Sequence, residues 1–225
     1  GDFRKKSVNA MLVLHISENP SQYGVAVIGR ERVIRLEEKP ENPSSNLIIT
    51  GIYIFDNTIF DAIDRTVPSK RGELEITDAI QVLIDTGGEV GYCLNEGWWK
   101  DTGSLEDLLE ANRLVLNDIG NVCLDIGHVE NNGSLLDGMI MAGENVVITD
   151  SILEGPIVLG NNILVKGCRL GPYTTVGDNV TLLSCQIRNS IILEGATISD
   201  QDRIITSSLI GKNTNIKLGG GQKTM

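Results

Sequence analysis

The later part of the chain carries an apolar residue every six positions, and this beat constrains the fold more than any other feature. Leu135, Met141, Val147, Leu153, Leu159 and Val165 fall six apart. After a slip of one residue the spacing resumes at Leu170, Val176 and Leu182, and again at Ile192, Ile198, Ile204, Ile210 and Ile216. Glycine follows the beat at Gly160, Gly171, Gly177 and Gly211, and Asn or Asp recurs shortly after, as the tight corners of a coiled β-solenoid require. A meandering β-sandwich can mimic one or two such hexads but not a run of this length. Residues 119–225 are therefore expected to form an all-β left-handed parallel β-helix, three hexads to a coil, each beat residue pointing inward onto the coil above. The slips near 165–170 and 182–192 mark corners or short insertions.

Upstream of Gly120 the composition changes, and residues 1–118 read as a separate α/β domain, part of a Rossmann-like fold. With 225 residues the chain is long enough for two such domains. Phe3–Ser7 resembles the tail of a helix, and Ala10–His15 is a short continuous apolar run, the pattern of a buried strand. Gly24–Gly29 and Arg32–Glu37 form a strand pair turning at Gly29-Arg30-Glu31 and stopping before Pro40. Leu47–Phe55 is rich in β-branched and aromatic residues and predicts another strand. Thr58–Arg65 predicts a short helix. In Glu75–Asp85 the residues Ile76, Ala79, Ile80, Leu83 and Ile84 make an amphipathic stripe that ends at Gly87-Gly88. Val90–Asn95 predicts a strand. Ser104, with Asp107 three residues on, predicts the cap of a helix running through Leu116.

The formal charge of −11 argues against a nucleic-acid binder, whose affinity comes largely from cations set against phosphates. Cys93, Cys123, Cys168 and Cys185 have no metal-ligand spacing and read as reduced, mostly buried thiols. No apolar run approaches the length of a membrane span, and the start, Gly1-Asp2-Phe3-Arg4-Lys5-Lys6, has no signal-peptide core. A cytoplasmic protein is expected.

Four segments of the first domain carry chemistry. They are Tyr23-Gly24-Val25, Glu37-Glu38-Lys39-Pro40, Gly72-Glu73-Leu74-Glu75-Ile76-Thr77-Asp78 and Trp98-Trp99-Lys100-Asp101-Thr102-Gly103. Together, and in this order, they resemble the sugar-1-phosphate nucleotidyltransferases, most closely those of the glucose-1-phosphate thymidylyltransferase type with an added C-terminal β-helix. The resemblance implies nucleotidyl transfer from a nucleoside triphosphate, dTTP by preference, to glucose 1-phosphate, with dTDP-glucose and pyrophosphate as products. It implies that Glu38 and Glu73 accept hydrogen bonds from sugar hydroxyls and that Lys39 contacts the sugar phosphate. It also implies that Gly24, Ile49 and Tyr53 line the pocket and that Asp101 ligates Mg²⁺ with Trp99 packed beside it. Trp98 is expected in the core, Asp101 in a place of restricted solvent access, and Glu75, Thr77 and Asp78 in the first turn of a helix. Uridylyl, guanylyl or adenylyl transfer to a related sugar 1-phosphate stays open, as does a non-catalytic sugar-phosphate-binding or scaffold subunit.

The family's Gly-rich, Arg-containing triphosphate loop and its Gly-Asp-Asn-like segment do not occur in these residues. The chain is expected to supply the sugar-phosphate half-site, either as part of a longer enzyme or beside another chain, and to be inactive alone. Asp2 is a weak candidate for the second metal carboxylate. Leu218–Thr224 lacks phosphate-loop spacing and reads as an exit from the solenoid. An acyltransferase reading fails because His15 and His128 lie off the regular coils. The β-helix is expected to support a homo-oligomer through its flat faces and open edges.

Overall fold

The computed structural model of the chain describes residues 7–120, 129–199 and 204–217. It divides into two compact units, Gly1–Trp99 and Lys100–Met225. The first holds a five-stranded sheet of order β3-β2-β4-β1-β5, built from β1 (Ala10–Ile16), β2 (Gly24–Gly29), β3 (Arg32–Glu38), β4 (Leu47–Phe55) and β5 (Val90–Leu94). β1 runs parallel to β5 and antiparallel to β4, which makes the sheet mixed. Leu12 and Leu14 of β1 are fully buried, as a central strand requires. The β2–β3 hairpin turns through Arg30 and Glu31 at φ +47° and +63°, the left-handed pair that matches the twist of a two-residue turn.

Helix α1 (Thr58–Asp64) and helix α2 (Ile76–Asp85) pack together, and α2 also packs on β3. α2 buries Ala79, Ile80 and Leu83, while Ile76 in its first turn stays 37% exposed. It ends where Gly87 takes φ +92° and Gly88 donates its N–H to the Leu83 carbonyl at 2.8 Å, the left-handed stop that glycine provides without a Cβ penalty.

The second unit opens with helix α3 (Leu105–Gly120). Ser104 Oγ accepts from the Asp107 N–H at 3.1 Å and donates to its carboxylate at 2.6 Å, the capping arrangement expected from the spacing. α3 lies on the first-domain side of the expected 118/119 boundary, yet it packs on the coils. Asn112 accepts from Thr175 Oγ1 at 2.7 Å and donates to the Tyr173 carbonyl at 3.2 Å, and the Arg113 guanidinium sits 5.3 Å from the Tyr173 ring centre.

The rest of this unit is a parallel β-solenoid with three faces, as expected of a left-handed β-helix. One face holds β7 (Leu135–Asp137), β10 (Ile152–Glu154), β13 (Arg169–Leu170), β16 (Gln186–Arg188) and β19 (Ile204–Thr206). The second holds β8 (Ile140–Ala142), β11 (Ile157–Leu159), β14 (Thr174–Val176), β17 (Ile191–Ile192) and β20 (Leu209–Ile210). The third holds β6 (Val129–Asn132), β9 (Val146–Thr149), β12 (Leu164–Lys166), β15 (Thr181–Leu183), β18 (Thr197–Ser199) and β21 (Asn215–Lys217). Inside, Leu136, Leu153, Leu170, Ile187 and Ile205 stack in one column. Ala142, Leu159, Val176, Ile192 and Ile210 form the second, and Ile148, Val165, Leu182, Ile198 and Ile216 the third.

This register corrects the expected one at the first coil, where Leu136, Ala142 and Ile148 take the inward places assigned to Leu135, Met141 and Val147. Ile205 likewise replaces Ile204, which is 52% exposed. Successive side chains of a strand face opposite ways, so neighbouring apolar residues leave the choice to the stacking partners. The earlier coils are also shorter than three full hexads, since Leu136, Leu153, Leu170 and Ile187 recur at intervals of 17, whereas the last step, Ile187 to Ile205, spans 18.

At one corner Asn145, Asn162 and Asn179 take φ +57°, +57° and +59°, and their amides hydrogen-bond from coil to coil at 3.0 and 3.1 Å. Cys168 and Cys185 are free, buried thiols stacked at 3.4 Å in the core, whereas Cys93 is exposed, contrary to expectation. Cys123, His128, Asp2 and Leu218–Thr224 lie outside the described residues, as does most of Phe3–Ser7.

The corrected register sets a test. Val176→Asp, placing an unpaired carboxylate at a position 1% exposed, is expected to destabilise the solenoid by about 3 kcal/mol or more. Leu135→Asp, on the outside, is expected to change stability by no more than about 0.5 kcal/mol. Urea denaturation followed by circular dichroism measures both, and equal effects would refute the register.

Candidate functional site

β2 and β3 pair so that Gly24 stands opposite Glu38, at the end of the sheet where both strands stop. A Cβ on Gly24 would meet Thr77 Cγ2 at 2.8 Å, Ile49 Cδ1 at 3.1 Å and Glu38 Oε2 at 3.2 Å. Glycine here is what lets three side chains from β3, β4 and α2 converge on one point. The Glu38 carboxylate, 18% exposed, is held on both oxygens: Oε2 accepts from Thr77 Oγ1 at 2.9 Å, and Oε1 faces Arg71 Nη1 at 3.4 Å.

Arg71 holds more than Glu38. Its Nη2 lies 2.8 Å from Glu73, and its Nη1 lies 3.3 Å from Glu75. Glu73 is largely exposed, and that pair contributes little by itself. Glu75 is 12% exposed and takes a second bond from Ser69 Oγ at 3.1 Å. Three carboxylates share one guanidinium, which leaves the cluster net negative and ties its acceptor oxygens to a common partner.

Lys39 departs from strand geometry. Its φ of +42° takes the chain into the left-handed region, and its N–H donates to the Tyr23 carbonyl at 3.1 Å. The strict alternation expected for Glu38 and Lys39 therefore ends at Glu38. The Lys39 side chain is exposed, and its ammonium has no ion-pair partner among the described residues.

Tyr53 is half-buried and stacks on Phe55, centroids 5.6 Å apart. Burial first, and then the negative charge of Glu38, hold its phenol above the ordinary value of 10.0. Ile49 is 6% exposed and belongs to the core as well as to the convergence at Gly24. Trp99 donates from Nε1 to the Thr50 carbonyl at 3.2 Å and meets Tyr23 edge-on at 5.2 Å, which places it beside the residue preceding Gly24.

Two expectations fail in the Trp98–Gly103 segment. Trp98 is 44% exposed rather than in the core, because adjacent residues of an extended segment point opposite ways and Trp99 takes the inward side. Asp101 is exposed rather than shielded, and its carboxylate has no hydrogen-bond partner among the described residues. Arg71 and Thr77 are the residues that sequence reasoning passed over. Arg71 stands two positions before Glu73, and Thr77 stood out only as a first-turn residue of α2. No group of three His, Cys, Asp or Glu side chains able to hold a metal occurs among the described residues.

The family profile described as Nucleotidyl transferase matches residues 2–118, slightly more than half the chain. The chain belongs to the nucleotidyl transferase family. Every residue of the site described above lies inside the matched span. Among curated proteins, glucose-1-phosphate thymidylyltransferase of Streptomyces griseus is 38% identical over 96% of this chain and 60% of its own length. That of Streptomyces antibioticus is 39% identical over 92% of this chain and 57% of its own length. The low-salt glycan biosynthesis nucleotidyltransferase Agl11 of Haloferax volcanii is 49% identical over 52% of this chain and 33% of its own length. The chain thus spans between a third and three fifths of these relatives. The first two matches run on past residue 118 through nearly the whole chain, so the likeness to them takes in the solenoid as well.

The site itself can be probed without substrate. Thr77→Val removes the donor to Glu38 at nearly constant volume and is expected to cost about 1 kcal/mol in urea denaturation. Tyr53 is expected to ionise above 10.0 in an ultraviolet titration with the other tyrosines replaced by Phe, and Glu38→Gln is expected to lower that midpoint part of the way. A midpoint unmoved by Glu38→Gln would show that the two side chains do not share a field.

Proposed function

We propose that this chain serves nucleotidyl transfer from dTTP to glucose 1-phosphate, and that its first unit holds the sugar-phosphate end of the reaction. One observation carries this reading: Glu38, packed at Gly24, shares Arg71 with Glu73, and the next residue in the chain is Lys39, whose ammonium has no ion-pair partner among the described residues. Sugar hydroxyls need acceptors with fixed positions and a sugar phosphate needs a cation. Glu38 and Glu73 supply the first, Lys39 the second. Arg71 is a second cation in reach of the same carboxylates.

In the reaction an oxygen of the sugar phosphate forms a bond to the α-phosphorus of the triphosphate, and the bond from that phosphorus to pyrophosphate breaks. No covalent work falls to the protein, and the barrier falls through positioning and neutralised charge. Ile49, Tyr53 and the bare backbone of Gly24 shape the pocket, and Trp99 fixes Tyr23 at its margin. The raised phenol of Tyr53 stays protonated across physiological pH, which keeps it a donor.

Asp101 is the residue for a divalent cation, Mg²⁺ in this reading. Its exposed, unpartnered carboxylate fits a hard ion that keeps most of its shell from water and phosphates. Such an ion, when bound, would neutralise charge on the phosphates. Among the described residues no helix is long and apolar enough to cross a membrane, and with a net charge of −11 the reading is a cytoplasmic enzyme that binds neither membrane nor nucleic acid. The flat parallel faces of the solenoid support assembly into a homo-oligomer.

The complete gene product, assayed with a panel of nucleoside triphosphates and sugar 1-phosphates, is expected to prefer dTTP and glucose 1-phosphate. Lys39→Ala and Asp101→Ala are each expected to lower kcat/KM by about 10²–10⁴-fold with the circular dichroism spectrum unchanged. Near-normal activity in either variant would remove that residue from the site.

A further inference from the structure

One cavity of the solenoid has no part in the site above. On the outer side of the β7–β19 face, a ladder of side chains crosses the coils through Asp137, Glu154, Gly171, Arg188 and Thr206. Gly171 is the single member without a side chain, and it opens a notch of about 310 Å³ between Glu154 and Arg188. A Cβ there would lie 2.8 Å from the Cβ of Arg188, so the stem of that arginine leaves no room for a side chain at this position.

The walls carry a particular chemistry. Arg169 is gripped by Glu154 through two parallel bonds, Nε to Oε2 at 3.0 Å and Nη2 to Oε1 at 2.9 Å. This holds the guanidinium in a set plane and leaves its Nη1 free of any partner among the described residues. Arg188, exposed across the gap, has no hydrogen-bond or ion-pair partner for its side chain among them. In a chain of net charge −11, two guanidiniums and one carboxylate among the lining residues leave a local excess of positive charge. Guanidinium forks suit phosphate oxygens through paired N–H bonds. The volume falls at the lower end of the roughly 300–1,000 Å³ of small-molecule pockets and leaves room beyond a phosphate group. That remaining space is lined by Glu154 and the Gln186 amide, which bond hydroxyls, and by apolar Ile204.

We infer that this notch binds a phosphate monoester carried on a hydroxylated ring. The phosphate sits between Arg188 and the free Nη1 of Arg169, and the ring hydroxyls face Glu154 and Gln186. A sugar phosphate and a nucleoside monophosphate share this chemistry. The inference stands on the second unit alone and does not depend on the reaction proposed for the first.

The test titrates the 225-residue chain with glucose 6-phosphate, thymidine 5′-monophosphate and inorganic phosphate in turn, following the arginine Nε–Hε signals by ¹⁵N NMR. At least one ester is expected to shift Arg169 and Arg188 saturably with a dissociation constant of about 1 mM or below, and inorganic phosphate to bind about tenfold more weakly. The tighter ester identifies the source of the ligand. Arg188→Gln is expected to abolish the shift at Arg169, Arg188→Lys to weaken it about tenfold, and Lys39→Ala to leave it unchanged. Inorganic phosphate binding as tightly as both esters would mean an adventitious ion only. Absence of a saturable shift, or unchanged binding in Arg188→Gln, would overturn the proposal.

Discussion

A carboxylate removed from most of its water must be compensated, and the arrangement of the first unit follows from how Glu38 meets that demand. One oxygen is satisfied by Thr77 at the start of α2, the other faces Arg71 in the connection leading to that helix. Both partners depend on α2 being docked against β3, and that docking rests on Ala79, Ile80 and Leu83. The apolar stripe of one helix thus sets the position of a charged group that it does not touch. Gly24 completes the arrangement by leaving room for the approach.

The second unit answers a different constraint. Each coil is too small to bury its own apolar residues, and only stacking on neighbours closes the core. The columns of Leu, Ile and Val are that closure, and the asparagine ladder at the corner satisfies side-chain amides in the same coil-to-coil direction. Cohesion here is local and repeated, whereas in the first unit it comes from strands distant in sequence, β1 pairing with β4 and β5.

Much of this was legible in the residues. The ends of β2, β3 and β4 carry Gly, Pro and polar clusters, and those strands fall close to where turn chemistry places them. Ser104 and Asp107 announced their helix because a capping pair has a fixed spacing. The first coil was misread for a definite reason: Leu135-Leu136, Ile140-Met141 and Val146-Val147 offer apolar side chains to both faces, and only stacking on Leu153, Leu159 and Val165 decides between them. Trp98 and Trp99 posed the same two-sided choice. Arg71 was invisible for the opposite reason, since an arginine in a polar connection looks like any solvated cation until three carboxylates are seen around it. Gly24, Glu38 and Glu73 were singled out by motif, and the structure gathers Gly24 and Glu38 at one point, with Glu73 joined to them through Arg71.

The interval of 17 between stacked residues also bears on how such a chain can change in length. Excising one whole coil, for instance residues 154–170, would bring Leu153 to rest on Ile187 with the same inward and outward sides preserved. Steps of 16 and 18 also occur, between Val176 and Ile192 and between Ile192 and Ile210, but a loss far from a whole coil would turn core residues to water. Length in this part of the molecule is therefore close to quantised, and lineages would be expected to gain or shed it by the coil.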